Sequence, residues 1–150
     1  MQEIEYKFLV DHDKWNTIEK PVPELIVQGF ISKSEDAVVR VRIKGDKGFL
    51  AVKGKSNGIS REEFEYEIPL NDAEELLLNF TSKQIRKYRY EIDIDGRKWE
   101  IDEFHGALEG LILAELEVNS EDDEFTKPDW IGKDVSTDPE YYNAVLIDRC

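Results

Sequence analysis

Most of the chain is patterned with a period of two. Successive side chains of a strand point to opposite faces, so this alternation predicts β-strands. Glu3 to Val10 sets Glu3, Glu5 and Lys7 on one face and Ile4, Tyr6 and Phe8 on the other. Leu25 to Ser32 is a second, mostly apolar strand. Val38 to Lys44 opposes Arg40, Arg42 and Lys44 to Val39, Val41 and Ile43. Gly45 to Gly48 reads as a hairpin turn with Gly48 at positive φ. Phe49 to Lys55 follows, with Lys53 and Lys55 on one face, and a Ser56-Asn57-Gly58 turn ends it. Ser60 to Pro69 then opposes Arg61, Glu63, Glu65 and Glu67 to Glu62, Phe64, Tyr66 and Ile68.

A different period interrupts the strands. Ala73, Leu76, Leu77 and Phe80 form an apolar stripe at helical spacing, with Asn71 as N-cap and Glu74 placed to reach back to it. Alternation resumes in Arg86 to Asp95, where Lys87, Arg89, Glu91 and Asp93 oppose Tyr88, Tyr90, Ile92 and Ile94. Asp95-Gly96 is a two-residue hairpin signal. Lys98 to Phe104 carries Glu100 and Asp102 opposite Trp99 and Ile101. Leu111 to Val118 carries Glu115 and Glu117 opposite Ala114, Leu116 and Val118. Ser120 is placed to cap a short acidic helix stopping at Pro128, and Asp138-Pro139 to open a last helix near residues 139–148. No repeat, low-complexity tract or linker divides the chain, so residues 1–150 read as one domain.

Nearly every strand therefore has an apolar face and a charged face. For one strand alone, a solvated outer face explains the pattern. The set as a whole asks for more. About eight such strands close a small barrel whose interior is filled by side chains. With the charged faces inward, the apolar faces point outward, and the helices provide part of their cover. The expected fold is α+β but mainly β: an eight-stranded closed antiparallel β-barrel with flanking helices. An interior of mixed charge is costly unless a ligand compensates it. A polyanion with Mg²⁺ or Mn²⁺ meets that demand, since cations hold phosphate oxygens and carboxylates hold a hard metal.

Charge and composition narrow the partners. The net charge is −14, which opposes nucleic acid and anionic membrane surfaces but leaves room for a small anion in a local basic site. The start, Met1 to Glu5, has no basic or apolar leader, no apolar run reaches membrane-spanning length, and Cys150 is the only cysteine. A cytoplasmic location is expected, without intrachain disulfides. His12 and His105 lack partners at ligand spacing, which argues against zinc, and Trp99 and Trp130 read as packing residues.

The opening Glu3-Ile4-Glu5-Tyr6-Lys7 resembles the Glu-x-Glu-x-Lys signature of the CYTH superfamily, the triphosphate tunnel metalloenzymes. The resemblance continues through Gln28-Gly29-Phe30, Arg40-x-Arg42, Lys53-Gly54, Arg61-x-Glu63-x-Glu65 and Lys87-x-Arg89-Tyr90. It extends through Glu100-x-Asp102-x-Phe104, Glu115-x-Glu117 and the stretch from Trp130 to Asn143. One such triplet is weak evidence, whereas the ordered series is specific. It is most similar to the short bacterial members, inorganic triphosphatases among them. The resemblance implies an eight-stranded tunnel in which Arg40, Arg42, Lys53, Arg61, Lys87 and Arg89 bind the triphosphate. It implies metal ligands among Glu3, Glu5, Glu63, Glu65, Asp102, Glu115 and Glu117, with Mg²⁺ or Mn²⁺ as cofactor. Lys7, Lys53 and Lys87 are the candidate catalytic lysines. A lysine becomes a general base only where desolvation or neighbouring cations lower its pKa. One departure is Phe30, since related members often have Tyr there.

The expected activity is metal-dependent hydrolysis of a linear triphosphate, inorganic tripolyphosphate first. Adenylate cyclisation, thiamine triphosphate hydrolysis and non-catalytic binding of nucleotide or polyphosphate are the alternatives. The expected partner is a small-molecule triphosphate, with no nucleic acid and no membrane, and a homodimer is an open possibility for assembly.

Overall fold

The computed structural model describes residues 1–150. Nine strands form: β1 (Gln2–Val10), β2 (Glu24–Lys33), β3 (Ala37–Lys44), β4 (Lys47–Gly54), β5 (Ser60–Ile68), β6 (Ile85–Ile94), β7 (Arg97–Phe104), β8 (Ile112–Glu117) and β9 (Ile131–Asp134). They are ordered β5-β4-β3-β2-β6-β7-β8-β1-β9, and β1 also pairs with β5. That last pairing closes eight antiparallel strands into a barrel. It is short, running from Gln2 opposite Glu62 to Ile4 opposite Ser60. Farther along β1, β9 takes over the same edge, with Val10 opposite Ile131.

Turn chemistry sets the register. Asp95 (φ 51°) and Gly96 (φ 77°) make the expected two-residue hairpin between β6 and β7. In the β3–β4 hairpin, the positive φ belongs to Gly45 (61°), not Gly48. Gly48 serves a different purpose: a Cβ built on it would lie 2.5 Å from the Ala73 Cβ, so its bare backbone lets the covering helix approach.

That helix, α2 (Leu70–Phe80), lies over the outer faces of β2, β3 and β4, burying Ala73 and Leu77. It starts at Pro69 with no side-chain cap, so Asn71 lies within its first turn and the expected capping box does not form. Phe80 is 60% exposed because the stripe runs past the end of the strands below. On the other side, the outer faces of β1, β7 and β8 carry Phe8, Trp99, Ile101, Ala114 and Leu116. They are covered by Trp15 of the short α1 (His12–Trp15), by Trp130 and by Phe125. Beyond the reach of α2, the far end of β4 and most of the outer face of β5 have no cover, leaving Val52, Phe64 and Tyr66 exposed.

The acidic stretch after Ser120 forms turns rather than a helix. The Ser120 hydroxyl accepts from the Asp122 N–H, a local turn that competes with helix formation. The C-terminal helix is broken into a 3-10 turn over Pro139–Tyr141, α3 (Asn143–Leu146) and a further 3-10 turn over Ile147–Arg149.

The C-terminal segment does not lie on the outside of the barrel. Leu146 and Ile147 pack with Ile85, Phe104, Leu108, Leu113 and Val135, against Leu9 and Phe30. Leu9, Phe30, Ile85, Phe104 and Leu113 continue the charged inner faces of their strands. At this end the interior changes from ionic to apolar, and the C-terminal segment plugs it.

Candidate active site

Above the plug lies a cavity of about 430 Å³. Each strand contributes through its inward positions. Register places Lys7 opposite Glu115 and Glu5 opposite Glu117. It places Lys53 opposite Glu63 and Arg89 opposite Asp102. Ala51, opposite both Arg40 and Glu65, is 1% exposed; its small side chain leaves room for theirs. Every residue expected in the site except Asp102 lines the cavity. Asp102 is fully buried behind it.

The cations are held by carboxylates at defined distances. Glu65 Oε2 accepts from Arg40 Nη2 at 2.9 Å and from Arg42 Nη2 at 3.1 Å. Lys53 Nζ lies 3.2 Å from Glu3 and 3.5 Å from Glu63. Asp102 receives Arg89 through both oxygens, each at 2.8 Å, and Lys87 Nζ at 2.9 Å. Lys7 Nζ donates to the Tyr141 carbonyl at 3.1 Å. Arg61 donates twice to the Gly54 carbonyl, at 3.1 and 2.9 Å, which fixes it beside the turn at the rim. Arg40 Nε and Arg42 Nε are buried donors without a protein partner. Unpaired buried guanidinium N–H groups are costly, a cost borne where the two arginines crowd together at the cavity wall.

The carboxylates fall into two proton-sharing pairs. Burial, and a hydrogen bond to Glu63, push Glu3 up to about 7. Burial and the adjacent Glu115 push Glu5 well above the ordinary range. Their partners go the other way. Burial alone would raise Glu63, but the Glu3 hydrogen bond, Lys53 and Arg40 bring it down. Lys7, the Glu5 hydrogen bond, Arg89 and Lys87 likewise outweigh burial at Glu115. Burial raises Glu117, with Glu3 and Glu100 adding to it. Seven lysine and arginine side chains and seven glutamates line the cavity. Cations and carboxylates thus match in number around the cavity of a chain whose net charge is −14, and the raised values of Glu3 and Glu5 shift that balance toward the cations.

Two cations are tuned as well. Burial, then Arg42, lowers Arg40 to about 10. Burial lowers Lys87 to about 8, against the opposing pull of Asp102. Asn143 and Gln28 complete its surroundings: Asn143 Oδ1 accepts from Lys87 Nζ at 3.0 Å and from Gln28 Nε2 at 2.9 Å. The sequence reading gave neither amide a role, although both lie within the motifs quoted for the resemblance.

No three carboxylate or histidine side chains converge on a ready-made metal cage. The donor set still fits a hard divalent cation, which binds one or two carboxylates and completes its shell with water and phosphate oxygens. The neighbouring carboxylates Glu3 with Glu63 and Glu5 with Glu115 are oxygen donors of that kind. Asp102 is placed otherwise, since both its oxygens are taken by Arg89 and Lys87.

A closed barrel whose interior cavity pairs a cluster of cations with neighbouring carboxylates defines a charged tunnel of the kind that receives a polyanion. The chain belongs to the CYTH-domain family, whose model matches residues 1–144. It is 48% identical over 147 residues to a protein of Acetivibrio thermocellus described as an inorganic triphosphatase, covering 97% of this chain and 93% of that one. It is 35% identical to a Nitrosomonas europaea protein of the same description, covering 97% of each. A solved structure of an inorganic triphosphatase superposes with a TM-score of 0.68 at 31% identity, covering 97% of each chain. No helix is long and apolar enough to cross a membrane.

Proposed function

We propose that this protein is a metal-dependent hydrolase of linear triphosphates, with inorganic tripolyphosphate as the preferred substrate. The observation carrying this reading is the cation cluster in the cavity. A chain of net charge −14 gathers seven lysine and arginine side chains around one cavity. The inorganic triphosphatases it resembles over nearly their whole length support it.

Hydrolysis of a phosphoanhydride asks the protein mainly to position the chain and to stabilise charge on its oxygens. Arg40, Arg42 and Arg89 offer planar forks suited to phosphate oxygens, and Lys53 and Lys87 offer point charges. Glu65 holds Arg40 and Arg42, and Asp102 holds Arg89 and Lys87, in place before substrate arrives, so little reorganisation is needed. Glu3, Glu5, Glu63, Glu115 and Glu117 would hold Mg²⁺ or Mn²⁺, with Glu65 at the edge of that set. Held there, such a metal would supply charge neutralisation at the phosphate oxygens and a more acidic attacking water. Burial lowers Lys87 to about 8, which suits it to accept a proton. Lys53, tied to two glutamates, serves the clamp. Lys7, bonded to the Tyr141 carbonyl, joins the rim near the plug.

Cyclisation of a nucleoside triphosphate needs more: an apolar slot for the base and a ribose hydroxyl held in line. The lining is mostly charged and polar, and its two aromatic residues, Phe30 and Tyr142, form no ring pair. The test is a panel of tripolyphosphate, ATP, thiamine triphosphate and pyrophosphate, each with Mg²⁺ or Mn²⁺. Tripolyphosphate is expected to release phosphate fastest, with activity lost to chelator and little or no cyclic AMP formed from ATP. Cyclic AMP formation matching or exceeding tripolyphosphate hydrolysis would overturn the assignment.

A further inference from the structure

The fully buried Gln28 spends its amide donor on one acceptor, Asn143 Oδ1, and its own Oε1 has no partner. Burying an amide half-satisfied is unfavourable, so this contact needs a reason beyond filling space. The same Asn143 oxygen accepts from Lys87 Nζ. Asn143 is the first residue of α3, at the inner tip of the plug. It sits deep in the fold, but its neighbours in sequence are latched from outside. Lys33 Nζ donates to the Ala144 carbonyl at 2.7 Å and to Asp148 at 2.6 Å.

We propose that Asn143 is a positioning residue: its Oδ1, steadied by Gln28, aims the Lys87 amino group into the cavity, so a working site exists only when the C-terminal plug is seated. This rests on the triphosphatase reading above. The Lys87 nitrogen is tetrahedral and makes two protein contacts, Asp102 Oδ2 at 2.9 Å and Asn143 Oδ1 at 3.0 Å. With two directions tied, the remaining positions are fixed in space, and Lys87 lines the cavity. As an ammonium it presents a further N–H to a phosphate oxygen. As an amine its two N–H groups go to Asp102 and Asn143 and its lone pair faces the cavity. Without Asn143 the nitrogen keeps only Asp102, and its long side chain is free to swing about that one contact. Phe30 offers no hydroxyl to replace the lost acceptor. Asn143 does not bridge the clamp arginines, so overall affinity for a triphosphate survives its loss while alignment does not.

The experiment compares Asn143→Ala, Asn143→Asp and Gln28→Met with the wild-type protein on tripolyphosphate, with thermal unfolding as a folding check. Asn143→Ala is expected to lower kcat at least tenfold while KM moves less than threefold. Asn143→Asp keeps an acceptor for both donors and restores kcat to within about threefold of wild type. Gln28→Met keeps the length and removes the donor, giving a smaller kcat loss, and the double variant Asn143→Ala/Gln28→Met falls no further than Asn143→Ala alone. If the alanine variant folds poorly, the aspartate and methionine variants still decide the matter. Wild-type turnover with unchanged kcat in Asn143→Ala would overturn this inference and leave the triphosphatase reading standing, as would additive losses in the double variant. Wild-type protein inactive on every triphosphate would remove both.

Discussion

Asp102 and Arg89 face each other across β6 and β7 as a two-pronged ion pair, Nε to Oδ1 and Nη2 to Oδ2, both at 2.8 Å. The Asp102 side chain is 1% exposed and the Arg89 side chain 7%. Lys87 leans on the same carboxylate, so one buried anion carries two cations. Glu100 and Glu115 complete the balance around Arg89, at 3.2 and 3.9 Å.

Asp102→Ala leaves Lys87 and Arg89 buried beside each other without their common partner. Removing one member of a buried ion pair typically costs about 3–5 kcal/mol, because the charge left behind remains desolvated. Denaturant unfolding of the metal-free protein is expected to show a loss in that range. A loss under about 1 kcal/mol would mean that Glu100 and Glu115 hold the clamp by themselves.

Arg42→Ala removes a clamp arm whose Nε is unpartnered in the folded protein. Hydrogen bonds to charged groups contribute roughly 1.5–3 kcal/mol each, so affinity for tripolyphosphate is expected to fall at least about tenfold. Arg42→Lys keeps the charge but loses the planar fork, and is expected to recover only part of the loss. Calorimetry measures both; unchanged affinity in the alanine variant would place Arg42 outside the site.

Glu117 stands opposite Glu5 on the neighbouring strand, and burial raises its pKa with help from Glu3 and Glu100. Glu117→Gln preserves shape and removes a charge that its neighbours repel. Metal-dependent turnover is expected to be abolished while thermal stability without metal holds or rises. Full turnover across a Mg²⁺ titration in this variant would exclude Glu117 from the metal set.

The barrel and most of its site are legible in the sequence because one rule governs both. Period-two charge, as in Glu3-x-Glu5-x-Lys7 or Arg40-x-Arg42, gives the strand and its inward face together. The plug was not visible in that way. Leu9, Ile85, Phe104 and Leu113 look like ordinary apolar strand positions, and only the closed barrel shows that they floor the interior. The C-terminal segment reads as a covering helix because Asp138-Pro139 announces a start, yet no pattern shows that Leu146 and Ile147 enter the barrel end. Asp102 looked like one more tunnel carboxylate, since sequence shows charge and spacing but not which oxygens are already taken. Asn143 and Gln28 had no charge to mark them. A buried strand amide paired with an amide of the C-terminal plug would have been the signal, and it exists only in three dimensions.

The carboxylate pairs make stability without metal depend on pH in a defined sense. Glu3 is raised from an ordinary 4.5 to about 7, and Glu5 is raised further in the same direction. Between those values the folded protein keeps protons that the unfolded chain has released. Glu3's stabilisation is therefore complete below about 4.5 and is lost as pH rises through about 7, and Glu5 acts in the same direction. Glu63, Glu115 and Asp102 have lowered values, so their contributions are present above the ordinary carboxylate range and disappear only on stronger acidification. The interval between about 4.5 and 7 thus belongs to Glu3, with the raised Glu5 and Glu117 acting in the same sense. Lys87 acts later, since lowering from 10.5 to about 8 makes stability rise with pH between those two values. Metal-free protein is expected to melt at a higher temperature near pH 5.5 than near pH 7.5, and Glu3→Gln to flatten that difference, because glutamine binds no proton in either state. Mg²⁺ should reverse the trend, as ligation requires deprotonated carboxylates and displaces their protons. Added to weakly buffered protein near pH 6.5, it should acidify the solution. A melting temperature without metal that stays level or rises from pH 5.5 to 7.5 in the wild-type protein would show that the two pairs do not share protons, and the metal set would then have to be sought elsewhere in the barrel.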